Sequence, residues 1–265
     1  LGITYYVIFD PINQLQGGAF SSSGLTKIDS SIQLLSLPMV FNSFDEVDYV
    51  RQHLDELIKQ HMAENGFIIL GISEGGFARF FSTKPISDLQ QLQATKVWIP
   101  EGDELVKITY DALGISPIAL PISDVFTGLQ TGLIDTIAAS STGAIAFQWH
   151  SKVNYMVDLP VMYLIGVLAV NQKAFNKIKP DDRLIVKQEM DKVFGRLDLI
   201  NRNDNTGATE AIGKQGIEII KVSKSEEQSL KQLSNNAIQA MIEDGNIDSK
   251  LVETLRKHLQ DFRSQ

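Results

Sequence analysis

The sequence predicts an α/β protein. Short β-branched and aromatic segments alternate along the chain with segments whose apolar residues recur at helical spacing. The connections between them are short and contain glycine or proline. Repeated strand–helix–strand order of this kind is typical of a parallel sheet covered by helices on both faces. We therefore expect such a sheet here.

The first part of the chain contains three predicted strands and one well-marked helix. The strands, at residues 3–9, 34–41 and 67–70, are rich in β-branched and other apolar residues. Ser43 and Glu46 form a capping box, followed by apolar residues at helical spacing. This pattern predicts a helix that ends before the third strand.

The centre of the chain continues the alternation. A helix from about residue 103 to 113 is predicted between two strands, and Gly114 supplies a left-handed exit from it. Short strands are predicted at residues 78–82, 96–99, 118–120 and 133–139.

The last part of the chain contains an unusually long helix. Pro180 suits the first helical position, and Met190, Val193 and Leu197 lie on one face of the helix that follows. The pattern continues to about residue 212, which is longer than most globular helices. A strand at 217–222 and helices to about 243 and over 250–262 complete the chain.

Composition limits the classes of function. Of 265 residues, 43% are hydrophobic and 21% are charged, which is enough apolar material for a packed core. The net charge of −8 argues against a nucleic-acid partner. The absence of cysteine excludes a thiolate nucleophile and a cysteine zinc site. The four histidines have no metal-ligand spacing, so neither a metal nor a cofactor is predicted.

Ser73 lies in a Gly-x-Ser-x-Gly motif at residues 71–75, which in some hydrolases holds the nucleophile. Asp158 and His258 even follow in the chain order of such enzymes. A nucleophile elbow must lead into a helix, however, whereas residues 76–82 have the pattern of a strand. We therefore expect no enzyme, and a serine hydrolase that uses Ser73 is the alternative.

The two tryptophans are candidates for ligand contact. Trp98 ends a predicted strand just before Pro100, and α/β proteins place ligands at the carboxyl ends of strands. Trp149 lies in the segment Phe-Gln-Trp-His at residues 147–150. Both are equally compatible with ordinary core packing, which is the commoner position of tryptophan.

Taken in order, these segments resemble one family, the solute-binding proteins of TRAP (tripartite ATP-independent periplasmic) transporters of the DctP type. The resemblance spans roughly residues 12–222. The segments that carry it are QLQGGAF (14–20), LPMVF (37–41), SEGGF (73–77), STKPI (82–86), KVWIPEGD (96–103), LG (113–114), LQTGLID (129–135) and QWH (148–150).

The resemblance implies a two-lobed, periplasmic-binding-protein-like fold. The ligand cleft lies between the lobes, the chain crosses from one to the other, and a long helix braces both. It also implies a periplasmic receptor, free or lipid-anchored, that closes around a small molecule and delivers it to TRAP membrane permease subunits.

The predicted lobes are discontinuous in sequence. Residues 1–75 with 165–204 form the first lobe, and 76–164 with 205–265 form the second. Family members normally begin with a further strand–helix unit. We therefore expect that unit, and any export signal, to lie outside this sequence.

Three positions depart from the family pattern. Trp98 stands where the resemblance places an arginine that pairs with a ligand carboxylate. A second polar contact falls at Phe77 or Ala78, and a usual asparagine falls at Ala139. Such a pocket would bury an unpaired carboxylate at high cost, so we expect a neutral, aromatic or lipid-like ligand.

The candidate ligand contacts divide into an apolar and a polar group. Arg79 would allow an organic acid to bind only if its side chain faced the cleft. Because side chains alternate along a strand, Arg79 points away from the cleft if Ala78 faces it. A sensor or scaffold role with the same fold is a further alternative. The candidates are Trp98, Phe77, Ala139, Phe20 and Trp149, with Ser73, Glu74, Ser140, Glu101 and Gln148 as polar contacts.

Overall fold

The computed structural model describes residues 15–265, and the strand predicted at residues 3–9 lies outside the described residues. Within them, strands and helices alternate and the predicted α/β class is confirmed. The strands are β1 (Gly17–Ser21), β2 (Phe67–Ser82), β3 (Trp98–Pro100), β4 (Ile118–Leu120), β5 (Thr136–Ala139), β6 (Tyr155–Val157), β7 (Met162–Asn171) and β8 (Glu218–Ile220). The helices are α1 (Ser22–Leu25), α2 (Phe44–Glu64), α3 (Leu89–Gln93), α4 (Glu104–Ala112), α5 (Ile122–Thr131), α6 (Ser141–Ala146), α7 (Gln172–Phe175), α8 (Pro180–Lys214), α9 (Lys224–Glu243) and α10 (Ser249–Arg263). Two 3₁₀ helices span Ser30–Ser36 and Trp149–Lys152.

The main sheet is mixed, so the prediction of a parallel sheet is wrong. Its strand order is β1-β7-β2-β6-β8, and β5 pairs with β2 off this path. Strand β2 is antiparallel to β5, β6 and β7, and β1 is antiparallel to β7. Among the described strands only β6–β8 and β3–β4 pair in parallel. Strands far apart in sequence meet here, and the order of elements does not determine their direction.

Strand β2 is one continuous crossing element, although the sequence predicted two separate strands within it. Its pairing with β7 shifts register between Ile69 and Gly71 and again between Glu74 and Gly76. Gly76 has a φ of 84°, which glycine adopts without steric cost. Such bulges bend a strand and increase its twist. The bend lets one strand contribute to different cores at its two ends.

The prediction of a strand at residues 34–41 is wrong, because residues 34–36 are the last three of the 3₁₀ helix Ser30–Ser36. Asp29 caps it by accepting a hydrogen bond from the Ser31 N–H at 2.8 Å. Leu34 and Leu35 are fully buried. A short run of buried apolar residues fits a helical turn as well as a strand, so periodicity alone did not separate them.

The predicted capping residue of helix α2 is confirmed. The Ser43 hydroxyl accepts a hydrogen bond from the Glu46 N–H at 3.2 Å. The Glu46 carboxylate accepts from the Asn42 N–H at 2.7 Å and from Arg263 Nε at 2.8 Å. The same glutamate therefore ties the end of α10 to the beginning of α2.

Buried apolar side chains form three clusters within the described residues. The first core includes Leu54, Ile58, Val167, Ile238 and Leu255. The second core includes Phe81, Trp98, Ile134, Ile137 and Met156. The third core includes Phe80, Ile99, Tyr110, Leu113 and Leu159.

Helix α10 packs on α2 in the first core, although the predicted division into lobes assigns residues 205–265 to the second lobe. The division into lobes stays a prediction.

Helix α8 is the long helix that the sequence predicts, and it contacts elements of the first and second cores. The carboxylate of Asp198 accepts from Arg51 of α2 at 2.7 Å and from the Glu74 N–H of β2 at 2.7 Å. Nearer its C-terminus, the side-chain oxygen of Asn205 accepts from the Thr142 N–H of α6 at 3.3 Å. These contacts fix α8 against α2 and β2 on one side and against α6 nearer its C-terminus.

A buried ion pair anchors the middle of α8 to β2. The Glu74 side chain is fully buried, and Arg202 Nη2 lies 2.6 Å from its Oε2 atom. The Tyr163 hydroxyl donates to the same oxygen at 3.3 Å. Arg202 also binds Asp48 at 2.8 Å and covers the ring of Phe44 at 4.4 Å. The guanidinium thus satisfies a carboxylate that water does not reach.

Across residues 15–265, none of the helices combines the length and the apolar character that a membrane span requires.

We expect Arg202→Ala to lower the free energy of unfolding by about 3 kcal/mol, because it leaves the buried Glu74 carboxylate without its cation. Urea unfolding followed by circular dichroism measures this change. Lys192→Ala is the matched control on the same helix. It removes an exposed pair with Glu189 and should cost less than about 1 kcal/mol. Equal losses in the two variants would contradict the structural role given to Arg202.

Candidate functional site

A cavity of about 340 Å³ lies where the three cores meet. Ile165 of the first core, Trp98 of the second and Tyr110 of the third all line it. Its volume falls in the range of small-molecule pockets. Its lining comes from strands β1, β2, β3, β5 and β7, from helices α1, α3, α4, α5, α6 and α9, from both 3₁₀ helices and from neighbouring loops.

Aromatic side chains form one wall of the cavity. The rings of Trp98 and Trp149 meet edge to face, with centroids 5.4 Å apart. Phe147 stacks on Trp149 at 4.8 Å. The Trp98 indole N–H donates to the Leu120 carbonyl at 3.0 Å, which fixes the ring at the start of β3. The structure therefore places both predicted tryptophans at the cavity, where they are also part of the second core.

Strand β2 contributes Gly75, Ala78 and Phe80 to the cavity. Because side chains alternate along a strand, Phe77 and Arg79 point to the opposite face. Phe77 packs against Phe44 at 4.9 Å and Tyr163 at 5.5 Å in the first core. Phe77 therefore lies outside the cavity lining, whereas Ala78, the alternative position, lies within it, and the ligand contact stays a prediction.

Arg79 lies on the far face of β2, away from the residues that line the cavity. Its Nε atom is 3.7 Å from Asp158 Oδ1, and this buried nitrogen has no hydrogen-bond partner within the described chain. Burial lowers the pKa of Arg79, and the charge of Asp158 opposes this effect. The position of Arg79 gives no support to its predicted alternative role in binding an organic acid.

The end of β5 adds a small, partly polar wall. Ala139 and Ser140 both line the cavity, as predicted for ligand contacts. The Ser140 hydroxyl caps α6 by accepting from the Gly143 N–H at 3.2 Å. Small side chains at this strand end leave room opposite the aromatic wall. The hydroxyl of Ser140 is thereby held at the cavity surface.

Other predicted candidates do not reach the cavity. Glu74 is buried against Arg202, and Phe20 belongs to the first core. The Ser73 hydroxyl lies 3.5 Å from the Gly166 carbonyl of the neighbouring strand. These side chains hold β2 and its neighbours together. Their role in ligand contact stays a prediction, and their positions outside the cavity lining give it no support.

Glu101 and Gln148 are exposed and lie outside the cavity lining. Glu101 occupies the turn between β3 and α4. Gln148 has a φ of 58° and precedes the 3₁₀ helix Trp149–Lys152. Their neighbours in sequence line the cavity, whereas they face solvent. Ligand contact by Glu101 and Gln148 stays a prediction that their positions do not support.

The residues of the predicted hydrolase triad do not come together. Ser73 lies inside the continuous strand β2 and not before a helix. His258 stacks on His53 at 4.4 Å, on the outside of α2 and α10. Asp158 contacts an arginine on the far face of β2. Within the described chain, no group of three or more metal-ligand side chains is clustered either.

Asp103 is a cavity residue that the sequence reasoning did not identify. It accepts from the Val106 N–H at 3.2 Å as the N-cap of α4, and its side chain also hydrogen-bonds to Ser23. Burial raises the pKa of Asp103, while these two hydrogen bonds act in the opposite direction. Its place directly after a strand end was the available signal. An aspartate at this position is equally well explained as the N-cap of α4, so the sequence did not single it out as a cavity residue.

Ligand pockets occur preferentially where separately packed parts of a fold meet, as the three cores do here. Residues 12–244 match the family described as DctP, bacterial extracellular solute-binding protein, family 7. The chain belongs to this family, and the resemblance found in the sequence is confirmed.

Individual relatives agree with this assignment. The uncharacterized protein YiiZ of Salmonella typhimurium is 27% identical over 176 residues, covering 62% of this chain and 53% of YiiZ. The ectoine-binding periplasmic protein TeaA of Halomonas elongata is 23% identical over 273 aligned positions, covering 97% of this chain and 75% of TeaA. The chain spans about half the length of the first curated relatives that it matches.

A solved structure shows the same fold. The sugar acid binding protein DctPAm of Advenella mimigardefordensis, in complex with galactonate, superimposes with a TM-score of 0.88 at 16% identity. The match covers 98% of this chain and 82% of that protein. At this identity the likeness extends to the fold, and the predicted two-lobed architecture is confirmed.

We expect Asp103→Asn to change how stability depends on pH. The folded pKa of Asp103 lies above its ordinary value of 3.8, so the unfolded chain releases this proton first as pH rises. Asp103 therefore contributes less stability as pH rises from about 3.8 through its folded pKa. Asparagine keeps the helix cap but carries no charge. The stability of the variant relative to wild type should increase across this window and then stay constant.

Urea unfolding at a series of pH values between 3.5 and about 7 measures this difference. Asp248→Asn makes the same change at the N-cap of α10, outside the cavity, and serves as the control. A constant difference between Asp103→Asn and wild type at all pH values would show that Asp103 does not titrate in this way.

Proposed function

We propose that this protein is the ligand-binding receptor of a TRAP-type transporter. It captures a small molecule in the 340 Å³ cavity by closure of its two lobes and delivers it to the membrane permease subunits. The observation that carries this proposal is a cavity lined from all three cores in a member of the DctP family. The proposed location is the periplasm, with the receptor free or lipid-anchored, and nucleic acid is not a proposed partner.

The proposed ligand has an apolar body: neutral, aromatic or lipid-like. Among the described residues that line the cavity there is no arginine, lysine or histidine. Trp98 stands at the position where the family resemblance places a carboxylate-binding arginine. A ligand carboxylate here would lose its water without gaining a cation, and burial of an unpaired charge is costly. The lining therefore favours apolar surface over an acid group.

This ligand class differs from those of several relatives. DctPAm is described in complex with galactonate, and TeaA is named for ectoine. The chain is 16% identical to DctPAm and 23% identical to TeaA, so it shares their fold without necessarily sharing their ligands. Side chains at the cavity decide specificity, and these differ more readily between relatives than buried core positions do.

Four of the predicted contacts remain part of the proposal. Trp98, Trp149 and Ala139 would enclose the apolar body of the ligand, and the Ser140 hydroxyl would orient a polar group. Aromatic rings provide large contact areas with little loss of conformational freedom, which suits them to this role. The lobes that close around the ligand remain those predicted from the sequence.

Benzyl alcohol and benzoate are a matched pair for testing the ligand class, because they differ mainly in charge. The two tryptophans of the chain both line the cavity, so their fluorescence reports on its occupancy. We expect benzyl alcohol to change the emission saturably and benzoate to bind at least about 10-fold more weakly, since its carboxylate would be unpaired. Tighter binding of benzoate would contradict the proposed class.

Ala139→Leu should weaken binding of benzyl alcohol by about 10-fold or more, because the added side chain fills the cavity wall. Ala119→Leu is the matched control, since Ala119 is an exposed alanine in strand β4. Circular dichroism confirms that each variant is folded. Unchanged affinity in a folded Ala139→Leu variant would place the binding site elsewhere.

The hydrolase alternative predicts a different result at Ser73. Because Ser73 lies within β2 and contacts a backbone carbonyl, we expect p-nitrophenyl acetate turnover to be no faster with wild type than with Ser73→Ala. Release of p-nitrophenol measures this rate. A wild-type rate more than about 100-fold above that of the variant would restore the enzyme interpretation.

A further inference from the structure

Asp103 is the one charged side chain among the described residues that line the cavity. Only 8% of the residue is exposed. Its carboxylate receives hydrogen bonds from the Val106 N–H and the Ser23 hydroxyl, both of which are uncharged donors. A buried negative charge thus lies in a site that is otherwise apolar.

No cation of the described chain balances this charge. The charged group that acts on Asp103 is Glu104, which is also acidic. Ion pairs elsewhere in the described residues leave Asp103 out, whereas the buried Glu74 has Arg202. Buried carboxylates in proteins are usually paired, and an unpaired one is costly. A positively charged ligand group would supply the missing partner.

The rings around the cavity suit the same kind of ligand. Tyr110 lies close enough to Asp103 for the carboxylate charge to add to burial in raising the pKa of the tyrosine. Trp98 and Trp149 line the same space with their rings 5.4 Å apart. Aromatic faces attract cations, and tryptophan does so most strongly. One acid and several rings form a site for an organic ammonium ion.

We propose that the cavity binds an apolar amine, with its ammonium group on the Asp103 carboxylate and its aromatic or alkyl body against Trp98 and Trp149. This inference rests on the proposed function: it keeps the apolar ligand body and adds a head group with a single positive charge. A charge-assisted hydrogen bond to a carboxylate is stronger and shorter than one between neutral groups. The ammonium also offsets the cost of burying the Asp103 charge.

2-Phenylethylamine and 2-phenylethanol test this proposal, because they share a body and differ in the charge of the head group. Isothermal titration calorimetry at pH 7 measures both affinities. We expect wild type to bind the amine at least about 10-fold more tightly than the alcohol. Asp103→Asn keeps the N-cap and removes the charge, so the amine should lose about 10-fold or more while the alcohol changes little.

Asp248→Asn, at the N-cap of α10, is the matched control and should leave both affinities at wild-type values. If the alcohol binds as tightly as the amine, or if Asp103→Asn binds the amine as wild type does, the inference is wrong and the proposed function stands. If wild type binds neither compound and also fails to bind benzyl alcohol, the proposed apolar site itself is wrong. The two failures are therefore distinguishable.

Discussion

The fully buried carboxylate of Glu74 holds this structure together, because it joins the crossing strand β2 to the long helix α8. Arg202 approaches it to 2.6 Å, and the same arginine reaches Asp48 on α2. Three residues before Glu74, Gly71 follows a shift in the register between β2 and β7 and allows close approach of α8. Gly71 has the Phe194 ring of α8 so near that an added Cβ would lie 2.1 Å from it. A larger residue at position 71 would therefore force α8 away from β2 or displace the Phe194 ring.

The chemistry of the cavity follows from this crossing. Because β2 alternates its side chains, fixing Ala78 toward the cavity turns Arg79 away and leaves the β2 side of the site without a cation. The first residue of β3 is Trp98, which also lines the cavity, and the cap of α4 supplies Asp103. A site built in this way offers aromatic surface and one negative charge. This balance is the basis of the proposal that the cavity prefers apolar molecules or amines to acids.

Much of the local structure was predictable from short-range patterns. Ser43 caps α2, and Pro180 opens a helix of 35 residues, because capping chemistry and helical periodicity act over a few neighbouring residues. Strand pairing was not predictable in the same way. The antiparallel crossing of β2 and β7 joins residues almost a hundred positions apart, as between Ser73 and Gly166. Nothing in the spacing of either segment specifies the direction in which they meet.

The sequence by itself determined the class of the fold, the family, and the two tryptophans and small residues that reach the cavity. The family resemblance also places an arginine at the position where this chain has Trp98. Only the tertiary structure decided which face of each strand is turned inward. In the structure Phe77 packs in the first core, Glu74 pairs with Arg202, and Asp103 lies at the cavity wall. The physical reason is that one register shift in a strand exchanges its two faces, and such shifts depend on contacts with distant elements.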